Sequence, residues 1–441
     1  MVETKVTELS TVELDGLLLD VDDSSELLSD TSIQDTIAEA DFNQNATIST
    51  ISSAQQLEEK TSVESELSPV SSEISRTDFL FPFSFIVGTN QADELAGTSK
   101  ADIILGLAGD DFLVGLGGND IIVGGDGDDT IFGNSGNDVI TGSNGNDEQF
   151  GNSGNDRIIG GAGSDVLDGA DGTDTADYSS LGRAITLERA GAINKGSLGT
   201  DQILGIERIV GASGKSNAID GSTGTSGVTS FTIDLDDDRL TVNDIPVLGD
   251  VTFTVENFVN VTGTTQADYI AGNAQNNRFR GGSGNDRLFG RNGNDYLFGD
   301  SGNDFLDGGS GNDFLNGGSG ADTLVGGSGS DTLVGGSDGD LFELSLNDLF
   351  VDRIVDFNFR EGDRIGFSFF GSGYTTVSYE QFDFDSGTGA LSFDGQQVAS
   401  LGSSTDFDLE SNLIVTDAKL VTSPEQPVLL EPTTLGDNEL A

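Results

Sequence analysis

Residues 106–132 read GLAGDDFLV, GLGGNDIIV, GGDGDDTIF, three successive runs of nine that each open on glycine, carry aspartate in the sixth place and place a large apolar residue in the eighth. The register holds in both directions. Heads fall at Gly88, Gly97, Gly106, Gly115, Gly124, Gly133, Gly142, Gly151, Gly160 and Gly169. The sixth places are Asp93, Asp102, Asp111, Asp120, Asp129, Asp138, Asp147, Asp156, Asp165 and Asp174. The eighth places are apolar from Leu95 to Leu167, apart from Gln149, and end on the small Ala176. From Gly109 to Gly172 the fourth place is glycine as well.

Each choice has a physical reason. Glycines in the first and fourth places allow positive φ and remove the Cβ atoms that would hold carbonyls apart in a six-residue turn. The aspartate puts a carboxylate among those carbonyls. The remaining three residues make a short strand with one inward side chain. A single such unit buries almost nothing, so neighbours must stack. A glycine-rich linker has no reason to keep aspartate and an apolar residue in phase, and so acidic a turn would repel phosphate.

The nonads return at heads Gly263, Gly272, Gly281, Gly290, Gly299, Gly308, Gly317, Gly326 and Gly335. Their sixth places are Asp268, Asn277, Asp286, Asp295, Asp304, Asp313, Asp322, Asp331 and Asp340, and their eighth places run from Ile270 to Phe342, all large and apolar. The ends of the arrays depart from the pattern. Gln91, Lys100, Gln266, Gln275 and Asp338 stand where the fourth-place glycine belongs, and Asn277 offers a neutral oxygen. These edge turns are expected to bind metal weakly or not at all and to act as caps.

Residues 124–132, GGDGDDTIF, and 160–168, GGAGSDVLD, resemble the nonapeptide of the RTX (hemolysin-type) calcium-binding family. The resemblance implies an all-β fold of two parallel β-roll solenoid blocks, two nonads to a coil, with Ca²⁺ between stacked turns. On that implication Asp111 shares ions with Asp93 and Asp129, and the sixth-place aspartates named above are the metal ligands. Oxygen ligands, part carboxylate and part carbonyl, suit a hard cation of this size. Ten nonads give five coils, roughly 24 Å at about 4.8 Å per strand.

Composition narrows the function. The 441 residues carry 76 Asp plus Glu against 19 Lys plus Arg, a formal charge of −57, which argues against nucleic acid or an anionic membrane as partner. On the order of fifteen calcium ions would offset about half of that charge. With no cysteine and no histidine, the chain lacks disulfides, thiolate chemistry, the Ser-His-Asp triad and the zinc-protease motif.

In order along the chain, residues 1–77 read as an acidic disordered tail with one weak helical stretch near 32–40, and Leu17 to Leu19 is too short for a signal-peptide core. Residues 78–177 are the first β-roll, its apolar start at 78–87 (DFLFPFSFIV) capping the open coil. A β segment of two longer-period coils bridges 178–262, and the second β-roll occupies 263–343. Residues 344–415 form a small β cap with a hairpin across Asp394-Gly395 and a phenylalanine core from Phe367, Phe382, Phe384 and Phe393. Within it IVDFNFREGDRIGF, at 354–367, resembles the closing segment of secreted RTX proteins. Residues 416–441 read as a flexible tail, and no stretch is long and apolar enough to span a bilayer.

The expected function is a non-enzymatic, secreted or cell-surface calcium-binding protein that folds on export. By resemblance, a type I secretion machinery is a partner, through a signal in the final portion. Two alternatives stay open. One is a polysaccharide-acting enzyme using carboxylates of the bridge, with Glu207, Asp234, Asp236, Asp237 and Asp238 at hand. The other is a calcium-dependent adhesin or surface-layer scaffold with a cell-surface or polysaccharide partner.

Overall fold

The computed structural model describes residues 11–14, 17–20, 83–188, 191–222, 229–245, 249–345, 350–368, 376–401, 407–416, 419–423 and 426–427. Strands Thr11–Leu14 and Leu17–Asp20 pair antiparallel within the stretch read as a tail. The rest of that stretch, with the weak helix at 32–40, lies outside the described residues, as does 428–441 of the C-terminal tail. Among the described residues strands dominate, and the named exceptions are short: the 3-10 turns Gly196–Leu198 and Tyr379–Gln381 and the helical turn Leu409–Asn412. No helix among the described residues is long and apolar enough to cross a membrane.

The chain divides into two compact units, one of 1–181 with 195–208, the other of 182–194 with 209–441. In the first, successive nonads alternate between two parallel sheets. Glu94–Ala96, Phe112–Gly117, Thr130–Ser135, Glu148–Ser153 and Val166–Asp171 make one, closed by Thr200–Leu204. Ser84–Val87, Asp102–Ala108, Ile121–Asp126, Val139–Asn144, Arg157–Ala162 and Thr175–Asp177 make the other. Ser84–Val87 covers the open coil by joining it as a strand, with Phe83 and Val87 packed on the core cluster of Ile103, Leu105 and Ile121.

Pairing brings each eighth-place residue onto the one two nonads away. Ile104, Ile122, Ile140, Ile158 and Ala176 form one fully buried stack, and Leu113, Ile131, Gln149 and Leu167 form the other. This spine is the core of the unit. One side chain per nonad suffices because the partner sheet supplies the facing side chain.

The second unit repeats the plan. Phe279, Leu297, Leu315, Leu333 and Ile354 stack in one sheet, and Ile270, Leu288, Leu306, Leu324, Phe342 and Ile365 in the other, every one fully buried. Before residue 263 the coils lengthen. Thr186–Glu188, Asn217–Asp220 and Phe258–Thr262 still pair in parallel, while Ser230–Asp234, Arg239–Ile245 and Gly249–Glu256 form an antiparallel meander. The longer period read from the sequence comes from hairpins added to ordinary coils.

After residue 343 the roll continues in Asp352–Ile354 and Arg364–Ser368. The hairpin Ala390–Phe393 with Gln396–Ser400 turns at Asp394 (φ 51°) and Gly395 (φ 80°), the type I′ signature expected from Asp-Gly. Phe382 packs between Phe367 and Phe393, at 5.0 and 4.9 Å between ring centroids.

Candidate metal centre

The sixth-place side chains point into the roll, where they link successive turns. The amide of Asp93 donates to Oδ1 of Asp111 (2.8 Å), that of Asp111 to Asp129 (2.8 Å), and that of Asp129 to Asp147 (2.9 Å). On the other edge Asp102, Asp120, Asp138, Asp156 and Asp174 are joined in the same way. In the second unit the ladders run from Asp268 through Asp286, Asp304 and Asp322 to Asp340, and from Asn277 through Asp295 and Asp313 to Asp331.

The ladders outrun the nonads. Asp147 is followed by Asp165, whose own amide donates to Asp201, and Asp174 donates to Glu207. In the second unit Asp331 donates to Asp352 and Asp340 to Asp363. None of these four acids was among the expected metal ligands, and Glu207 was considered only as a catalytic carboxylate. All four open the triplet acid-x-Ile, as in Asp201-Gln202-Ile203 and Asp363-Arg364-Ile365, which keeps the carboxylate and the inward apolar residue without the glycine turn.

One oxygen of each carboxylate is thus used by backbone. The other, Oδ2, is buried without a hydrogen-bond partner in Asp111, Asp120, Asp129, Asp138, Asp147, Asp156 and Asp174, and in Asp286, Asp295, Asp304, Asp313, Asp322 and Asp340. A buried polar atom left in this condition costs roughly 1–3 kcal/mol, more if charged, so a periodic set of them points to a ligand.

The head glycine of each turn lies against that oxygen. A Cβ on Gly106 would overlap Oδ2 of Asp111 and the carbonyl oxygen of Gly124, so carboxylate and carbonyl oxygens from successive turns converge where only glycine fits. Among the described residues no three His, Cys, Asp or Glu side chains gather as a metal cluster. A cation here must therefore take backbone carbonyls as well as carboxylates, an all-oxygen set that fits a hard cation with flexible coordination.

Burial also acts on protonation. It pushes Asp129 and Asp138 up to about 7 and Asp147 up to about 8, against the amide hydrogen bond that lowers each, with further upward pressure from neighbouring carboxylates. In the second unit burial takes Asp286, Asp295, Asp322 and Asp340 up to about 7. A bound cation favours the ionised form and opposes this shift.

The edge turns are built differently. Thr89 donates its amide (2.6 Å) and hydroxyl (2.9 Å) to Oδ2 of Asp93. Thr98 caps Asp102 with its amide and hydroxyl, and Thr264 does the same for Asp268. In Asn277 the side-chain NH₂ donates to the carbonyl of Val259 at 2.9 Å. These turns are capped by protein groups, with threonine in the second place of three of them and Asn273 in that of the fourth. The turn of Asp340 differs from the other edges: Asp338 takes a positive φ of 79°, and Oδ2 of Asp340 has no hydrogen-bond donor.

A second ladder, absent from the sequence reading, runs along the fifth places. The amide of Asn137 donates to Oδ1 of Asn119 and that of Asn155 to Asn137, both at 2.9 Å, opposite in direction to the sixth-place ladder. Asn303 to Asn285 and Asn312 to Asn294 repeat it in the second unit. Only an Oδ1 acceptor is needed, so Asn and Asp alternate freely there.

Stacked turns of this kind, with inward aspartates and oxygens converging at glycine heads, define a parallel β-roll built to hold cations. The family model described as the RTX calcium-binding nonapeptide repeat (4 copies) matches residues 87–122, 114–148, 150–178, 262–297, 271–306, 280–315 and 307–342. Both blocks of this chain are therefore RTX calcium-binding nonapeptide repeats. Among solved structures the chain is similar to the extracellular lipase LipA from Serratia marcescens, with 20% identity and a TM-score of 0.23, over 68% of this chain and 40% of that one. The chain thus spans well under two thirds of that lipase. No curated protein matches the sequence.

Proposed function

We propose that this is a secreted or cell-surface calcium-binding protein, without catalytic activity, whose two arrays fold when the chain is exported into a calcium-rich exterior. The observation that carries the reading is the row of buried Oδ2 atoms without donors, repeated in both arrays. Each metal-free rung places a desolvated carboxylate beside others in a chain of formal charge −57. Calcium neutralises that charge and ties two turns together, so its binding free energy becomes folding free energy. Extracellular calcium modules have dissociation constants of about 10⁻⁴ to 10⁻³ M, which keeps such arrays unfolded in a calcium-poor cytosol. The ligands assigned are the thirteen aspartates with free Oδ2 atoms given above together with Asp331. Asp102, Asp165 and Asp268 have protein donors on both oxygens, and Thr89 donates twice to Oδ2 of Asp93, so these four are assigned structural roles.

The bridge offers little support for catalysis. Glu207 is a rung of the ladder, and Asp234 is held by both terminal nitrogens of Arg291 at 2.7 Å. Burial raises Asp234, but the Arg291 hydrogen bonds and charge outweigh it and leave the carboxyl below its ordinary range, unsuited to acid catalysis. Export through a type I machinery, by a signal in the final portion of the chain, belongs to the same proposal.

Far-UV circular dichroism of the full chain titrated with Ca²⁺, with Mg²⁺ as control, tests the reading. A coil-to-β transition at submillimolar to millimolar Ca²⁺ is expected, with Mg²⁺ a poor substitute because it demands a tighter octahedral shell. A spectrum indifferent to Ca²⁺ would remove it.

A further inference from the structure

On one edge of the first unit the eighteen-residue step of the ladder breaks. The amide of Asp165 donates to Oδ1 of Asp201, 36 positions on, at 3.0 Å. The intervening chain returns through the 3-10 turn Gly196–Leu198, and the residue that leads into it is Lys195. Its side chain is fully buried, as are those of Asp165 and Asp201. Nζ lies 2.8 Å from Oδ2 of Asp165, 2.5 Å from Oδ1 of Asp201 and 2.8 Å from the carbonyl oxygen of Gly161.

Those three atoms are one oxygen from each of two successive same-edge acids and a carbonyl from the turn at head Gly160. The open rungs present the same kinds of atom. Here every carboxylate oxygen has a donor: the amide of Asp147 reaches Oδ1 of Asp165 (3.1 Å), and the Tyr178 hydroxyl donates to Oδ2 of Asp201 (3.0 Å). Asp165 is accordingly missing from the run of orphaned Oδ2 atoms on either side of it, at Asp147 and Asp156 and again at Asp174. Burying a lysine between two carboxylates is costly unless each charge is paired and hydrogen-bonded, and this one is.

We propose that Lys195 is a resident cation: its ammonium fills the cation position of the 165–201 rung, which is complete without metal and takes no calcium. The inference rests on the calcium reading of the open rungs. A flexible four-carbon stem delivers a compact charge with three donors, enough for the three oxygens it meets. The consequence is a coil whose charge is already compensated when calcium is scarce, at the place where the nonads end and the longer coil of Thr200–Leu204 begins.

Crystals of the full chain grown with calcium decide the matter by anomalous scattering. Peaks are expected on the open rungs and none between Asp165 and Asp201, with Lys195 still seated there. A calcium peak on that rung, with the lysine displaced, overturns the proposal and leaves the calcium reading intact; no peak on any rung removes the calcium reading and this inference with it. Native mass spectrometry at saturating calcium gives a second test. Lys195→Ala opens the position and is expected to hold one more ion per chain than wild type, while Lys195→Met fills it with an apolar stem and holds no more. A folded Lys195→Ala chain with an unchanged ion count would also overturn the proposal, and if that variant does not fold, the wild-type crystals still decide.

Discussion

The amide of Asp120 donates to Oδ1 of Asp138 at 2.7 Å, while the second oxygen of the same carboxylate is buried with no donor. The two oxygens therefore have separate duties. Asp138→Asn keeps the acceptor for Asp120 and replaces the unsatisfied oxygen with an NH₂, the arrangement Asn277 already uses toward Val259. The variant is expected to bind fewer calcium ions and yet to be at least as stable as wild type in chelator. Asp138→Ala loses both duties and should be less stable than Asp138→Asn by about 1–3 kcal/mol in calcium, because the Asp120 amide is then buried without an acceptor. Urea unfolding in calcium, residual β-structure by circular dichroism in chelator, and ion counting separate the two.

Acidity should act in opposite directions on the metal-free and the loaded chain. Burial holds Asp129, Asp138, Asp286 and Asp322 up to about 7, above the 3.8 of an unfolded chain. The metal-free roll therefore binds more protons than the unfolded chain. Its stability from these groups is fully present below about pH 4 and is lost as pH rises through about 7. Calcium needs the ionised form, so its affinity rises over the same window, by about tenfold per pH unit for each proton displaced. Circular dichroism in chelator at pH 5 and pH 8, beside calcium titrations at both, should show more β-structure at pH 5 without metal and a lower calcium midpoint at pH 8. A calcium midpoint indifferent to pH would contradict the assignment of these carboxylates as ligands.

Glycine positions should differ sharply in tolerance. Gly136 has φ of 136°, and a Cβ there would overlap the carbonyl oxygen of Gly118 in the turn below. Gly182 also has positive φ, 72°, but a Cβ would meet nothing within 4 Å. Gly182→Ala is expected to cost about 1–2 kcal/mol from the left-handed backbone alone, and Gly136→Ala clearly more, since backbone must move to admit it. Thermal unfolding in saturating calcium measures both. Equal losses would mean that the turns do not stack as closely as the fold requires.

Sequence periodicity carried the roll because period, turn and inward residue coincide in one nonad, so each repeat states the same geometry again. Asp201, Glu207, Asp352 and Asp363 escaped it for a physical reason. Their chains reach the next rung by longer loops, so only the acid-x-Ile triplet survives and the count of nine fails. Lys195 was illegible: its value depends on a return path bringing it 30 residues back to Asp165, and nothing local marks it. The edge turns were legible as exceptions from Gln91, Lys100, Gln266 and Gln275, while the reason, a second-place residue capping its own turn, threonine in three of them and Asn273 in the fourth, lies in contacts that the count of nine does not state.

Gln149 is the one polar side chain in the eighth-place spine, fully buried and paired in register with Ile131 above and Leu167 below. Its Nε2 donates to the carbonyl of Ile159 at 3.1 Å, but Oε1 has no hydrogen-bond partner. Replacing the amide by a branched apolar side chain of similar size removes that desolvated oxygen and gives the stack the residue type it has at Leu113 and Leu167. The loss is one buried neutral hydrogen bond, worth about 1 kcal/mol net, against the roughly 1–3 kcal/mol that an unsatisfied buried acceptor costs. Gln149→Leu is therefore expected to raise stability by about 1 kcal/mol, with calcium stoichiometry unchanged, because Asp147 and Asp156 on the adjoining rungs keep their hydrogen bonds. Denaturant unfolding at fixed calcium checks the sign. A destabilised variant would show that the Ile159 carbonyl needs this donor more than the spine needs an apolar residue.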